Sequence, residues 1–546
     1  LSIFPTVRWV ILLLIVSSLR PVVAQYDLIL RNGLVIDGSG GLPVPGDVAI
    51  SGDTIARIGF LSGFHGKEEI DLHGLVVSPG FINMLSWADR SLLLDGRSMS
   101  DIKQGVTLEI FGEGFSPGPK KKFTRNSPWR SLGEYFAYLQ SKGVSPNFAS
   151  FAGATTLRTL IIGYTSRAPN DWEMSQMRQE AAKAMEEGAL GLASSLIYAP
   201  ASYSTTRELV ELARVVGEKG GIYITHLRSE GDSILYALEE ALQVGKEAGV
   251  PVEIYHLKIN KRSNWNKIDT LLHRIELARQ TGVRVTANMY PYTFSATGLS
   301  ERIPDWVKEG GFSKMLLRLK NPAIRKKVLK DMRMGITIRN SDPADVELVN
   351  FRTAKLRKLY FGKRLAEVAR LRKTDADEAV LDLLLADRSD IAALYHLISE
   401  DNLRKMLALS YVSLGSDGAS VPEGPFELSP AHPRAFGTFA RFLGKYVREE
   451  HLVSLQEAVR RMTSLPAENL SIQKRGRLVP GYFADVVVFD PYRICDRSTV
   501  ADPSRYAAGV VHVWVNGVQV LKAGEHTGAL PGRLLPGPGY IAKEIN

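Results

Sequence analysis

Eight short segments rich in Val, Ile, Phe and Tyr, separated by stretches long enough for helices, constrain this chain more than any other feature. They are GFINML, VTLEIF, NFASFA, GALGLAS, GIYITH, PVEIYH, VRVTAN and YVSLGSD. Intervening stretches such as RELVELARVVGEKG, ALEEALQVGKEAG and KIDTLLHRIELARQTG carry apolar residues at helical spacing and end at or near Gly, as crossover helices do. Strands alternating with helices predict a parallel sheet, and eight strands close it into a (β/α)8 barrel of the α/β class.

The chain ends read differently. From Tyr26 to about Gly80 the pattern is short and alternating (YDLILRNGLVID, GDVAISGDTIARIG, EEIDLHGLVVSPG), and it returns in GRLVPGYFADVVVFD and VVHVWVNGVQVL. Neither piece holds a core by itself, so residues 25–80 and 465–546 are expected to meet in one small β-sandwich. The barrel then occupies residues 81–464. The charged, helix-rich interval of about 300–400 reads as a lid-like insertion before the last barrel strand.

Residues 1–24 stand apart. Arg8 precedes the uncharged run WVILLLIVSSL, and Val22 and Ala24 are small residues placed for cleavage before Gln25, the pattern of a secretory signal peptide. The run is short for a bilayer span, so the expectation is an exported protein, periplasmic or secreted, with no stable membrane insertion after cleavage. Only Cys495 is available for disulfide chemistry, so stability must come from the core. The net charge of +10 falls to +8 without Arg8 and Arg20. The densest basic run, PKKKFTR around Lys120 to Lys122, belongs to no nucleic-acid-binding module, which excludes that class.

Chemistry gathers at strand ends. His226 closes GIYITH, His256 closes PVEIYH and Asp417 follows YVSLG. The C-terminal strand ends of such a barrel face its active site, so the three residues converge there, in the outline of a metal-dependent hydrolase. Asp417 suits a general base, although a strand-end SDG is also an Asx-turn motif. His65, His73, His512 and His526 fall in the end domain, His273 and His396 in helices, and these read as structural.

Taken in order, NGLVIDGSG, VVSPGFI, LIYAP, THLRSE, YHLK, MYPY, GSDG followed by HPRAFGTFARFLGKYVRE, and GRLVPGYFADVVVFDP with VWVNG resemble the N-acyl-D-amino-acid deacylase (D-aminoacylase) family of the amidohydrolase superfamily. The resemblance spans nearly the whole chain after residue 24. It implies a zinc ion, one per chain, held by His226, His256 and Glu113 of IFGEGF, where the family often carries cysteine. Two imidazoles and a carboxylate form a catalytic zinc set with one open position. It also implies a clamp for a substrate's free carboxylate, made of Lys258, Tyr290 and Arg434. Tyr198 of LIYAP is a further candidate for the pocket wall or for carbonyl polarisation, and His432 for orienting Arg434.

Three departures from the family pattern concern the same site. The His-x-His pair expected after PGFI is replaced by Leu85 and Trp87, which cannot bind zinc, and Trp87 is expected to fill the volume with apolar surface. Ala154 and Asn288 stand where the family usually shows histidine and often aspartate. The expected activity is hydrolysis of the amide of an N-acyl-D-amino acid or a related carboxylate-bearing small amide. The alternatives are a cyclic-amide hydrolase or isoaspartyl-type dipeptidase on the same fold, and an inactive barrel that binds a ligand.

Overall fold

The computed structural model describes residues 25–121, 127–335, 341–424 and 432–542. The expected signal peptide (1–24) and Lys122 of the basic run lie outside these residues. Among the described residues no helix is long and apolar enough to cross a membrane.

All eight expected barrel strands are present: β1 (Phe81–Asn83), β2 (Val106–Phe111), β3 (Asn147–Ser150, extended by Ala152–Gly153), β4 (Gly191–Ser195), β5 (Ile222–His226), β6 (Val252–Ile254), β7 (Val285–Met289) and β8 (Val412–Leu414). Successive strands pair in parallel from β1 to β8. Closure comes from the ends of β1 and β8: Met84 N–H donates to Leu414 O at 3.1 Å and Asp417 N–H to Leu85 O at 2.8 Å. The strand period of two divides the side chains. Ile82, Leu108, Ile110, Ala149, Ala193, Ile224 and Tyr255 fill the barrel, whereas Phe81, Val106, Phe111, Val252, Ile254 and Val285 pack outward under the helices.

The crossover helices start where side chains satisfy their first free N–H groups. Ser131 and Asn170 each form a capping box, with Glu134 and Glu173, and Thr205 caps the helix Thr206–Gly217. Their apolar stripes then lie against the barrel wall.

Both chain ends join one nine-stranded mixed sheet. Val76–Pro79 pairs antiparallel with Val486–Phe489, which stitches the N-terminal part to the C-terminal part. The strands are hydrogen-bonded as a single sheet, with a core that includes Leu30, Val48, Ile50, Val77, Val486 and Trp514.

The insertion is helix-rich, as expected, and also holds a small sheet. Ser295–Gly298, Val346–Leu348 and Ala392–Tyr395 form a three-stranded antiparallel sheet. It shares a separate core with the surrounding helices, including Leu299, Val307, Met315, Leu348, Leu384 and Tyr395. His396 follows the last of these strands and is not helical. Strands of three or four residues are too short to leave a period in the sequence.

Candidate metal centre and active site

The site lies where the strands end. β5 ends on His226 itself, and β6 ends two residues before His256. Glu113 follows β2 between Gly112 (φ +108°) and Gly114 (φ +68°). A Cβ on Gly112 would lie 2.7 Å from Phe151 O, and one on Gly114 would lie 2.6 Å from Ser195 Cβ. Two glycines in the left-handed region therefore fold the strand end back against β3 and β4 with Glu113 between them. His256 (φ +32°) and Asp417 (φ +48°) also adopt positive φ, which L side chains avoid and which concentrates at functional sites.

One ligand atom from each of Glu113, His226 and His256 lies within 4.8 Å of the other two. All three residues are buried. His256 Nε2 is 3.3 Å from Glu113 Oε1, and the two imidazoles meet edge to face with ring centroids 4.5 Å apart. Burial pushes His226 down to about 3 and His256 to about 4, so both rings are neutral at pH 7 with a lone pair to offer. Burial raises the Glu113 carboxyl, with His226, Lys258 and Arg434 opposing.

His226 Nδ1 lies 3.0 Å from Leu227 O. In the tautomer with Nδ1 protonated, that contact fixes the ring and leaves Nε2 available. Burial still raises the Glu113 carboxyl despite Lys258 and Arg434, and a cation held directly between the carboxylate and the two imidazoles would relieve that cost. The donor set therefore fits a zinc ion with an open position.

Asp417 stands beside this triad, with Oδ2 4.0 Å from His256 Nε2. Burial raises its carboxyl and Arg434 opposes the rise. Arg434 Nη1 is 2.7 Å from Asp417 Oδ2. That contact is close enough for an ion pair, but it is not aligned as a hydrogen bond. Arg434 begins the helix Arg434–Arg441, and its backbone N–H donates to His432 Nδ1 at 3.0 Å, a contact that fixes the main chain at that position.

Tyr290 is the aromatic floor of this cluster. Its ring lies 4.7 Å from the Arg434 guanidinium carbon and 5.7 Å from Lys258 Nζ. Tyr198 is half-buried and meets the His226 ring edge-on at 5.3 Å. The surroundings of Lys258 were not foreseen. Its Nζ pairs closely with Glu230 and lies 2.8 Å from His256 Nδ1, so it braces a metal-ligand candidate.

Sequence reasoning overlooked Glu230. It is buried, and its Oε1 is 3.4 Å from both His226 Nε2 and His256 Nδ1. The available signal was its place four residues after His226 in THLRSE. Asn288 also proves to be a support: its Oδ1 accepts the His256 N–H at 2.9 Å, and its Nδ2 donates to Glu253 at 3.2 Å. An amide oxygen accepts that N–H as a carboxylate could, so Asn288 supports the His256 backbone. Ala154 is buried at the start of the helix Ala154–Ile161 and offers no polar group.

Trp87 corrects an expectation. It is 37% exposed, so it is no apolar filler, and its indole N–H donates to Asp417 Oδ1 at 3.0 Å. Leu85, 1% exposed, is the residue that fills the volume.

A closed α/β barrel carrying a buried two-histidine, one-carboxylate centre with an acid beside it defines a class, that of metal-dependent barrel hydrolases. Within that class the chain belongs to the amidohydrolase family, whose profile matches residues 152–521. It is 34% identical over 524 residues to a D-aminoacylase of Alcaligenes xylosoxydans xylosoxydans, covering 93% of this chain and 97% of that one. It is 32% identical over 529 residues to an N-acyl-D-glutamate deacylase of the same organism, covering 95% and 98%. Among solved structures, an N-acyl-D-glutamate deacylase of Bordetella bronchiseptica, complexed with zinc and a phosphonate inhibitor, matches with a TM-score of 0.79 at 28% identity, covering 94% of this chain and 99% of that one.

Proposed function

We propose that this protein hydrolyses the amide bond of N-acyl-D-amino acids, or of related small amides bearing a carboxylate, with one zinc ion held by Glu113, His226 and His256. The observation that carries this reading is the buried triad with Asp417 Oδ2 4.0 Å from His256 Nε2. Relatives over nearly the whole chain that are named as deacylases support the substrate class. Zinc in such a site lowers the pKa of water and polarises the acyl carbonyl.

The chain's own residues do the rest. Asp417 Oδ2 accepts the proton of the attacking water and returns it to the departing amine nitrogen. Burial lowers the pKa of His226 and His256, which suits both rings to serve as neutral ligands. Arg434 offers the substrate's carboxylate a buried guanidinium whose Nε has no hydrogen-bond partner among the described residues. Tyr290 lies under that guanidinium, and Lys258, held by Glu230, stands 5.7 Å from the same ring. Tyr198, against His226, lines the acyl side.

A matched panel of N-acetyl-D-amino acids, their L enantiomers and their carboxamides tests substrate class and clamp together. Wild-type enzyme is expected to turn over the D acids fastest. Arg434→Ala should raise KM for the acids about tenfold or more and leave KM for the carboxamides nearly unchanged, because a charge-assisted pair contributes on the order of 1.5–3 kcal/mol; kcat should fall on both series alike, because Arg434 also pairs with Asp417 Oδ2. Preference for the L series would refute the proposed substrate class. An equal rise in KM on acids and carboxamides would remove Arg434 from the clamp.

The proposal extends to location. The basic-then-apolar pattern of residues 1–24 supports export. N-terminal sequencing of the mature protein is expected to begin at Gln25, and retention of the apolar run would contradict this.

A further inference from the structure

We infer that Trp87 is a positioning residue for the proton-accepting carboxylate: its indole N–H holds Asp417 Oδ1 so that Oδ2 faces the metal-ligand triad. This rests on the proposed role of Asp417.

Three contacts register one loop against the other. Asp417 N–H donates to Leu85 O at 2.8 Å, Trp87 N–H donates to Gly418 O at 2.9 Å, and the indole donates to Asp417 Oδ1 at 3.0 Å. The first two fix the backbone of Asp417 in its left-handed conformation (φ +48°). They leave χ1 and χ2 of the carboxylate free; the third contact restrains them through Oδ1, while Arg434 pairs with Oδ2.

The chemistry of an indole suits this task. It is a donor with no acceptor, so it orients a carboxylate without competing for a metal or for the proton being moved. Exposure argues against a packing role: the ring is 37% exposed, whereas Leu85, two residues earlier, is 1% exposed and belongs to the barrel core. The contact also complements Arg434. If the guanidinium turns toward a substrate carboxylate, Oδ2 loses its ion-pair partner and the indole is the restraint that stays.

The consequence is kinetic. Reacting groups must be held to within about 0.5 Å and 10–20°, and misplacement by about 1 Å costs up to about a hundredfold in rate. Trp87→Phe keeps an aromatic ring and removes the donor. It is expected to lower kcat about tenfold, with KM within about twofold, while zinc content and Tm stay at wild-type values. Trp87→Gln retains an N–H on a side chain of similar reach and should recover part of the loss. In an Asp417→Asn background, Trp87→Phe should add little, since the step that it serves is already gone.

Unchanged kcat in Trp87→Phe would overturn the inference. So would an equal loss in the Asp417→Asn background, a rise in KM alone, or failure of Trp87→Gln to exceed Trp87→Phe. If Asp417→Asn itself keeps wild-type kcat, the proposed role of Asp417 falls instead, so the two failures are told apart by that single variant.

Discussion

His226→Ala and His256→Ala each lose the zinc and, with it, activity down to the limit of detection. Each imidazole is one of three buried donors whose ligand atoms lie within 4.8 Å of one another. With one removed, two ligands remain in a site built for three plus an open position. The surroundings cannot compensate. Glu230 Oε1 is 3.4 Å from both rings, but it is paired with Lys258, which balances its charge. Both variants should fold, because these side chains face the mouth of the barrel and the core lies in the clusters below and around it. Elemental analysis beside circular dichroism checks this. A folded His256→Ala protein with full zinc would remove that ligand from the assignment.

Asp417→Asn retains zinc and loses at least about a hundredfold in kcat, since general-base catalysis typically contributes 10²–10⁴. That factor corresponds to about 2.7 kcal/mol of barrier. The amide keeps the shape of the side chain and can still accept the Trp87 N–H through its oxygen, but it cannot take a proton from water. It also withdraws the negative charge 2.7 Å from Arg434 Nη1, so a modest fall in Tm accompanies the kinetic loss. Single-turnover rates on an N-acetyl-D-amino acid are the measurement, and kcat near wild type would end the proposed role.

The barrel was legible in the sequence because its signal is redundant. Eight apolar segments alternate with amphipathic helices, and either periodicity alone nearly fixes the order. His226, His256 and Asp417 were legible for a related reason, since a polar residue that ends an apolar strand stands out. Glu113 was legible only through family resemblance; taken alone, GEG reads as a loop.

Other features left a faint local trace or none. The sheet of the insertion is made of strands of three or four residues. Glu230 had only its place four residues after His226 to mark it, and its pairing with Lys258, like the contact of Asn288 with the His256 N–H, crosses 28 to 32 residues of sequence. Trp87 misled because a tryptophan replacing a ligand suggests filler. Its exposure and its bond to Asp417, 330 residues away, exist only in the fold.

The metal content of protein purified without chelator tests the central claim most directly. Leu85 and Trp87 supply no ligand atoms at the first strand, and Glu113, His226 and His256 make up the one group of metal-ligand geometry among the described residues. Plasma mass spectrometry should therefore find about one zinc per chain, and Glu113→Ala should lower that value steeply. Two zinc ions per chain, none, or one that persists undiminished in Glu113→Ala would contradict the account.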